Sequence, residues 1–273
     1  MGVIRQAMMV ALLCTSLCFL AARDASAQGA SDAARTARWT ELQHAIFPGR
    51  SILDGSAVIE MEAPLRALDA ALVPITLSLK GGKMIKGVYL VIDENPGPLA
   101  GHFAFGPDAD PRMLKLRVRV NAYTYIHAVA ETGDGKLYSV AKFVKAAGGC
   151  SAPAGADDGA ALQDIGRMKL KLLDSFVAGK PIQAQLMIRH PNFNGMQMNQ
   201  TTRLYTAARF IRSIDVSYDG GLVLHLDSDI SLSTDPVITF GFLPRGKGKL
   251  TVVVLDTSEA KFGASFDVPA SAG

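Results

Sequence analysis

The chain has 273 residues, 49% of them hydrophobic and 19% charged, with 28 basic against 25 acidic side chains and a formal net charge of +3. That length allows one large domain or two small ones, and the composition excludes both a disordered tail and a polytopic membrane protein. So small a positive surplus, spread over the whole chain, gives no reason to expect a nucleic-acid partner.

The first segment reads as an address. Arg5 supplies a positive start, 7–22 is an apolar run too short to span a bilayer comfortably, and Ala25-Ser26-Ala27 is a small-x-small cleavage signature. A signal peptide over 1–27 is expected, with cleavage after Ala27, a periplasmic destination and no membrane association afterwards. Cys14 and Cys18 fall inside this segment behind Leu13 and Leu17, which are not the small residues that lipoprotein attachment needs. Cys150 is then the one cysteine of the mature chain.

Next comes a short amphipathic helix over 31–47, with Trp39, Leu42 and Ile46 on one face and Thr40, Glu41 and His44 on the other. Pro48-Gly49 ends it. Short alternating runs follow, bounded by glycine, proline, asparagine or aspartate, and read as strands at 57–63, 73–79, 84–92, 102–105, 113–121, 125–131 and 137–145. The alternation is clearest from Leu114 to Val120, where Lys115, Arg117 and Arg119 are expected to face water and the intervening residues a core. Gly133-Asp134-Gly135 is placed as a hairpin turn. Residues 146–163 interrupt the pattern with glycine, alanine, aspartate and one proline. Strands resume at 167–172, 182–189, 210–218, 222–226, 237–242, 250–256 and 262–268.

These runs predict an all-β fold of two immunoglobulin-like sandwiches in tandem, with a short N-terminal helix after the signal peptide. The expected domains are 28–147 and 164–273, joined by a flexible glycine-rich linker at 148–163 that carries Cys150.

A thiol that must enter another protein's active site needs a narrow, pliable, exposed arm, and Gly148 and Gly149 before Cys150 suit that purpose. The expectation is an exposed, reactive Cys150. Without a second cysteine a dithiol cycle is excluded, which leaves a monothiol that is loaded and unloaded by other proteins. His190, Met196 and Met198, with His44 or His127, have soft ligand types for copper, but packing explains them as well and no metal is expected. Asp93 and Glu94 read as turn residues ahead of Asn95-Pro96-Gly97. Arg203, Arg209, Arg212, Arg245, Lys247 and Lys249 read as solvated strand faces rather than a docking rim. No nucleophile elbow, triad or phosphate loop is present, so neither an enzyme nor a cofactor is expected.

Several stretches carry a family resemblance. Trp39 and Pro48 at the ends of 39–48, Val73-Pro74, Asp93-Glu94-Asn95-Pro96-Gly97-Pro98, Gly133-Asp134-Gly135-Lys136-Leu137-Tyr138 and Gly148-Gly149-Cys150 resemble SoxY, a thiol carrier of periplasmic sulfur oxidation. Arg189-His190-Pro191, Gly195-Met196, Phe210-Ile211, Ser231 with Pro236, and Asp256 resemble its companion SoxZ. The order implies a fused SoxYZ-like carrier, similar to fusions associated with quinoprotein dehydrogenases. The resemblance implies covalent attachment of sulfur intermediates at Cys150, pairing of the two domains within the chain, and sulfur-oxidation enzymes or a quinoprotein dehydrogenase system as partners. In the family the arm is a free C-terminus, whereas here Ser151-Ala152-Pro153 follow and the chain continues. Two other readings stand beside this one: a non-covalent accessory protein of a quinoprotein alcohol dehydrogenase, and an inert pair of sandwiches with a buried thiol.

Overall fold

The computed structural model describes residues 31–80, 84–153, 158–177 and 179–269. The signal segment read at 1–27, with Cys14 and Cys18, lies outside the described residues, as do 154–157 of the predicted linker.

Helix α1 (Asp32–Ile46) is capped at its start by Ser31, whose Oγ accepts the Ala34 amide at 3.3 Å. From Arg38 onward its residues belong to the main body: Leu42 is buried, and Trp39 stacks on His127 with ring centroids 3.6 Å apart. The first half of the body holds β1 (Ile52–Asp54), β2 (Ile59–Glu62), β3 (Val73–Leu79), β4 (Ile85–Ile92), β5 (Leu99–Phe105), β6 (Ala109–Val118), β7 (Thr124–Thr132) and β8 (Leu137–Val144). After the one-turn α2 (Asp158–Ala161), the second half holds β9 (Met168–Leu172), β10 (Ile182–Ile188), β11 (Ile211–Tyr218), β12 (Gly221–Ser228), β13 (Val237–Phe242), β14 (Gly248–Asp256) and β15 (Lys261–Val268).

The strands form where alternation permits one buried face. In β3, Val73, Ile75, Leu77 and Leu79 point inward, and in β10 Ile182, Ala184, Leu186 and Ile188 do the same. The hairpin between β7 and β8 turns at the expected glycines, with Gly135 at φ 80° and the Thr132 amide bonded to Lys136 O at 3.0 Å.

The halves are more than neighbours. One sheet of nine strands runs in the order β1-β8-β7-β4-β5-β12-β11-β14-β15, and the other, of six, runs β2-β3-β6-β13-β10-β9. At the seam β5 pairs antiparallel with β12, with Phe103 opposite Leu226, and β6 pairs antiparallel with β13, with Leu114 opposite Phe240. Both sheets therefore pass from one half into the other. The buried core is likewise continuous, joining Val88, Phe103 and Leu114 to Leu226, Ile238 and Phe240. The two immunoglobulin-like domains are thus joined edge to edge, which removes two exposed strand edges from each.

One expected orientation is overturned at this seam. Lys115 and Arg117 face water as predicted, but Arg119 is only 1% exposed. Strand β6 stops at Val118, and the Arg119 amide then donates to Ser231 O of the second half at 2.8 Å. The period-two rule no longer applies, and the side chain turns into the junction.

Candidate site at the domain seam

Cys150 lies just beyond β8, and the backbone around it is pinned. The Gly148 amide donates to Asn121 O and the Gly149 amide to Val120 O, each at 2.9 Å. The Ser151 amide and Ser151 Oγ both donate back to Gly148 O, at 3.2 and 3.1 Å, closing a tight turn. Gly148 sits at φ 79°, a conformation that disfavours any side chain. A Cβ on Gly149 would collide with the backbone of Ala70 and Val120. These two glycines build a docked turn rather than a free arm.

The second half closes over the turn. Asn194 Nδ2 donates to Cys150 O at 2.6 Å, and Gln197 Nε2 donates to Ala152 O at 3.1 Å. Gln197 Oε1 in turn accepts the Asn194 amide at 3.1 Å, so the two caps brace each other. Their loop is anchored by Asn192, which donates from Nδ2 to Ser233 O at 2.6 Å and accepts the Ile211 amide at Oδ1 at 2.9 Å.

His190 and Asp256 stand behind Asn192, both fully buried. His190 Nδ1 accepts the Asn192 amide at 3.1 Å and Nε2 faces Asp256 Oδ2 at 3.5 Å. Burial lowers the His190 pKa, partly offset by Asp256, so the ring is a neutral spacer with its proton on Nε2. Burial alone would raise the Asp256 pKa. The Arg209 guanidinium at 2.8 Å, with donors from Ser258 and Ala260, instead holds it at about 2.

The thiol is fully buried, contrary to the exposed arm expected from the glycines. The cover that the linker's own residues lack comes from Ala70 and Val120 on one side of the turn and from Asn194 and Gln197 on the other. Burial pushes the Cys150 pKa up to about 11, with Arg119 pulling against it. While docked, the sulfur is a neutral thiol at neutral pH and a poor nucleophile. Arg119 reaches the same turn: Nη1 is 3.4 Å from Gly149 O, and Nη2 is 3.3 Å from both Pro191 O and Asn192 O and bonds Thr234 Oγ1.

The structure therefore brings together Cys150, Gly148 and Gly149, as the sequence placed them, and adds Arg119, Asn194 and Gln197, which sequence reasoning missed. Asn192-Phe193-Asn194-Gly195 carried the only hint, being rich in turn-forming side chains.

The remaining candidates are dispersed. His190 is committed to Asp256 and Asn192, and among the described residues no group of three or more His, Cys, Asp and Glu could hold a metal ion. Asp93 and Glu94 do lie in a turn, but Asp93 is buried and meets His127 Nε2 at 3.2 Å. Arg212 pairs with Glu259 and Lys249 with Asp267 on exposed strand positions, as expected. Arg245, by contrast, lies between strands against the mostly buried Asp108, and Arg209, off the strands, reaches the buried Asp256. Among the described residues no helix is long and apolar enough to cross a membrane.

This geometry, a single thiol folded into the seam between two β domains, goes with the family comparisons. Residues 43–150 match the family model of sulfur oxidation protein SoxY, a match that ends on Cys150 itself, and residues 171–267 match that of sulphur oxidation protein SoxZ. The chain belongs to the sulfur-oxidation carrier class. It is a fused SoxYZ-like protein, a SoxY domain followed by a SoxZ domain.

Among solved structures, the sulfur carrier protein SoxY from Chlorobium limicola f thiosulfatophilum is 25% identical, with 41% of this chain and 94% of that one covered and a TM-score of 0.36. A β-glycosidase from Bacteroides vulgatus is 11% identical over 77% of this chain and 24% of its own, with a TM-score of 0.24. The Bacteroides ovatus mixed-linkage glucan utilization locus SGBP-B is 15% identical over 82% and 46%, with a TM-score of 0.22. Scores this low carry no argument about function. No curated protein matches the chain.

Proposed function

We propose that this protein is a periplasmic carrier that holds a sulfur-containing intermediate covalently on Cys150 and presents it to sulfur-oxidation enzymes. The observation that carries the reading is the SoxY match ending on Cys150, the one cysteine outside 1–27, which lies at the seam with the SoxZ domain. The export signature at 1–27 supports the compartment. Loading would be an exchange in which the undocked Cys150 thiolate attacks a sulfur of a disulfide- or polythionate-type donor. The Sγ–S bond forms as the donor's S–S bond breaks, the donor's other sulfur leaves with the electron pair, and the thiol proton goes to water. Gly148, Gly149 and the short Ser151-Ala152-Pro153 lead would then act as a turn that leaves its seat.

Leaving is affordable in energy. The turn is held by a handful of hydrogen bonds, each worth about 1 kcal/mol net, so it can open locally without unfolding either domain. An inert pair of sandwiches shares one observation with this reading, the burial of the thiol. The two differ in how the thiol reacts. Native protein should be labelled at Cys150 by a bulky thiol reagent far faster than it unfolds globally, and intact mass spectrometry of protein from its own periplasm should show sulfur adducts that Cys150→Ser abolishes. Labelling no faster than global unfolding, together with an adduct-free mass under all growth conditions, would overturn the carrier. An accessory role beside a quinoprotein dehydrogenase has no observation here in its favour.

A further inference from the structure

Among the described residues, two buried carboxylates each have a basic side chain beside them. Asp256 has Arg209 at 2.8 Å, and Asp93 has His127 at 3.2 Å. Arg119 is as deeply buried, yet among the described residues no carboxylate is in ion-pair contact with it, and Asp69 acts on it only from farther away. Its Nε, shielded from solvent, has no hydrogen-bond partner at all. Its terminal nitrogens reach the carbonyls of Gly149, Pro191 and Asn192 only at 3.3 to 3.4 Å, whereas a guanidinium facing an anion settles at about 2.7–2.9 Å. Ser233 Oγ, beside Thr234 in the chain, is also buried and unpartnered.

Apart from the short bond of Nη2 to Thr234 Oγ1, this desolvated guanidinium is held by long bonds to neutral carbonyls, and no carboxylate touches it. The free thiol does not supply a counter-ion, because it stays neutral while docked. A negatively charged group on the same sulfur would. The five donors of an arginine suit the oxygens of a sulfonate-type anion, and loose carbonyl contacts can be exchanged for them.

We propose that Arg119 is the counter-charge for an anion carried on Cys150, so that the docked turn retains a negatively charged sulfur adduct in preference to a neutral one. The proposal rests on the carrier reading of Cys150. It assigns Arg119 a specificity role at the seat of the arm: anionic cargo is held and shielded between visits to partner enzymes, and neutral cargo is let go.

The test compares two disulfide-type adducts on the full mature chain. Tetrathionate converts the Cys150 thiolate to Sγ–S–SO3− and releases thiosulfate. Methyl methanethiosulfonate converts it to Sγ–S–CH3 and releases methanesulfinate. The rate at which a phosphine reductant removes each adduct is measured in the folded protein and divided by the rate for the same adduct in urea-unfolded protein, which cancels intrinsic reactivity. The anionic adduct should be protected at least about tenfold more than the neutral one, and Arg119→Gln should erase the difference. If the glutamine variant does not fold, Arg119→Lys, which keeps the charge but loses the planar fork, should retain only part of it. Equal protection of the two adducts in the wild type would overturn the proposal, as would a preference that survives unchanged in the arginine variants. Failure of the carrier reading would appear separately, as the absence of adducts on protein from its own compartment.

Discussion

Gly148 and Gly149 stand side by side and do different things. Gly148 supplies a positive φ, for which a side chain costs about 1–2 kcal/mol in strain. Gly149 supplies empty space against the backbone of Ala70 and Val120, which cannot move aside as a flexible side chain would. Overpacking of that kind costs about 1–3 kcal/mol, and here it is relieved by ejecting the turn. Gly149→Ala should therefore speed labelling of Cys150 by a bulky thiol reagent by about tenfold or more, with Gly148→Ala having the smaller effect. Were the glycines mere hinges on an exposed arm, both substitutions would leave labelling unchanged or slow it to the same degree. The Gly-Gly-Cys sequence announces a special thiol, yet it reads equally as freedom and as close approach. The deciding atoms, Ala70 O and Val120 O, come from residues distant in sequence. Arg119 was hidden for a related reason: alternation assigns faces only while a strand lasts, and β6 ends one residue earlier.

At the scale of elements, the loop after β10 is a lid built on a rigid base. Asp256, His190 and Asn192 fix its root through buried bonds, while Asn194 and Gln197 at its tip hold the Cys150 turn from the outside. Root and tip should separate by experiment. Asn194→Ala removes one bond to Cys150 O, worth about 1 kcal/mol, so it should raise the labelling rate of Cys150 by roughly fivefold while leaving the global unfolding midpoint nearly unchanged. Asp256→Ala should lower the midpoint itself, because it strands Arg209 and the Ser258 and Ala260 donors. An Asn194→Ala variant with wild-type labelling would show that the lid does not hold the thiol. The strands around this loop were legible because β3, β6 and β10 each present one apolar face. Strand β1 was not: three residues, paired parallel to β8, are too few to show a period. Nor was the lid, since Asn194 and Cys150 are 44 residues apart and nothing local marks a bond between them.

For the whole molecule, the joined sheets predict that the SoxY and SoxZ domains unfold as one unit. Strand-edge pairing at β5·β12 and β6·β13 cannot be read from alternation, which says which face is buried but not which edge meets which. Phe103 on β5 lies at this seam, fully buried and directly opposite Leu226 on β12. Phe103→Ala should cost about 3–5 kcal/mol. If the halves were independent sandwiches, that loss would fall on the first alone. In a continuous sheet it must fall on both. Denaturant unfolding followed by the fluorescence of Trp39, the chain's single tryptophan, reports on the first half, and amide exchange along β14 reports on the second. In the wild type the two should coincide in one transition, and Phe103→Ala should shift them together. A shift confined to the Trp39 signal, with β14 protection intact, would mean that the seam is a contact rather than a shared sheet. The seat of Cys150 would then depend on domain docking that comes and goes. A coincident shift would mean that the seat is as permanent as the fold, and that only the turn itself moves.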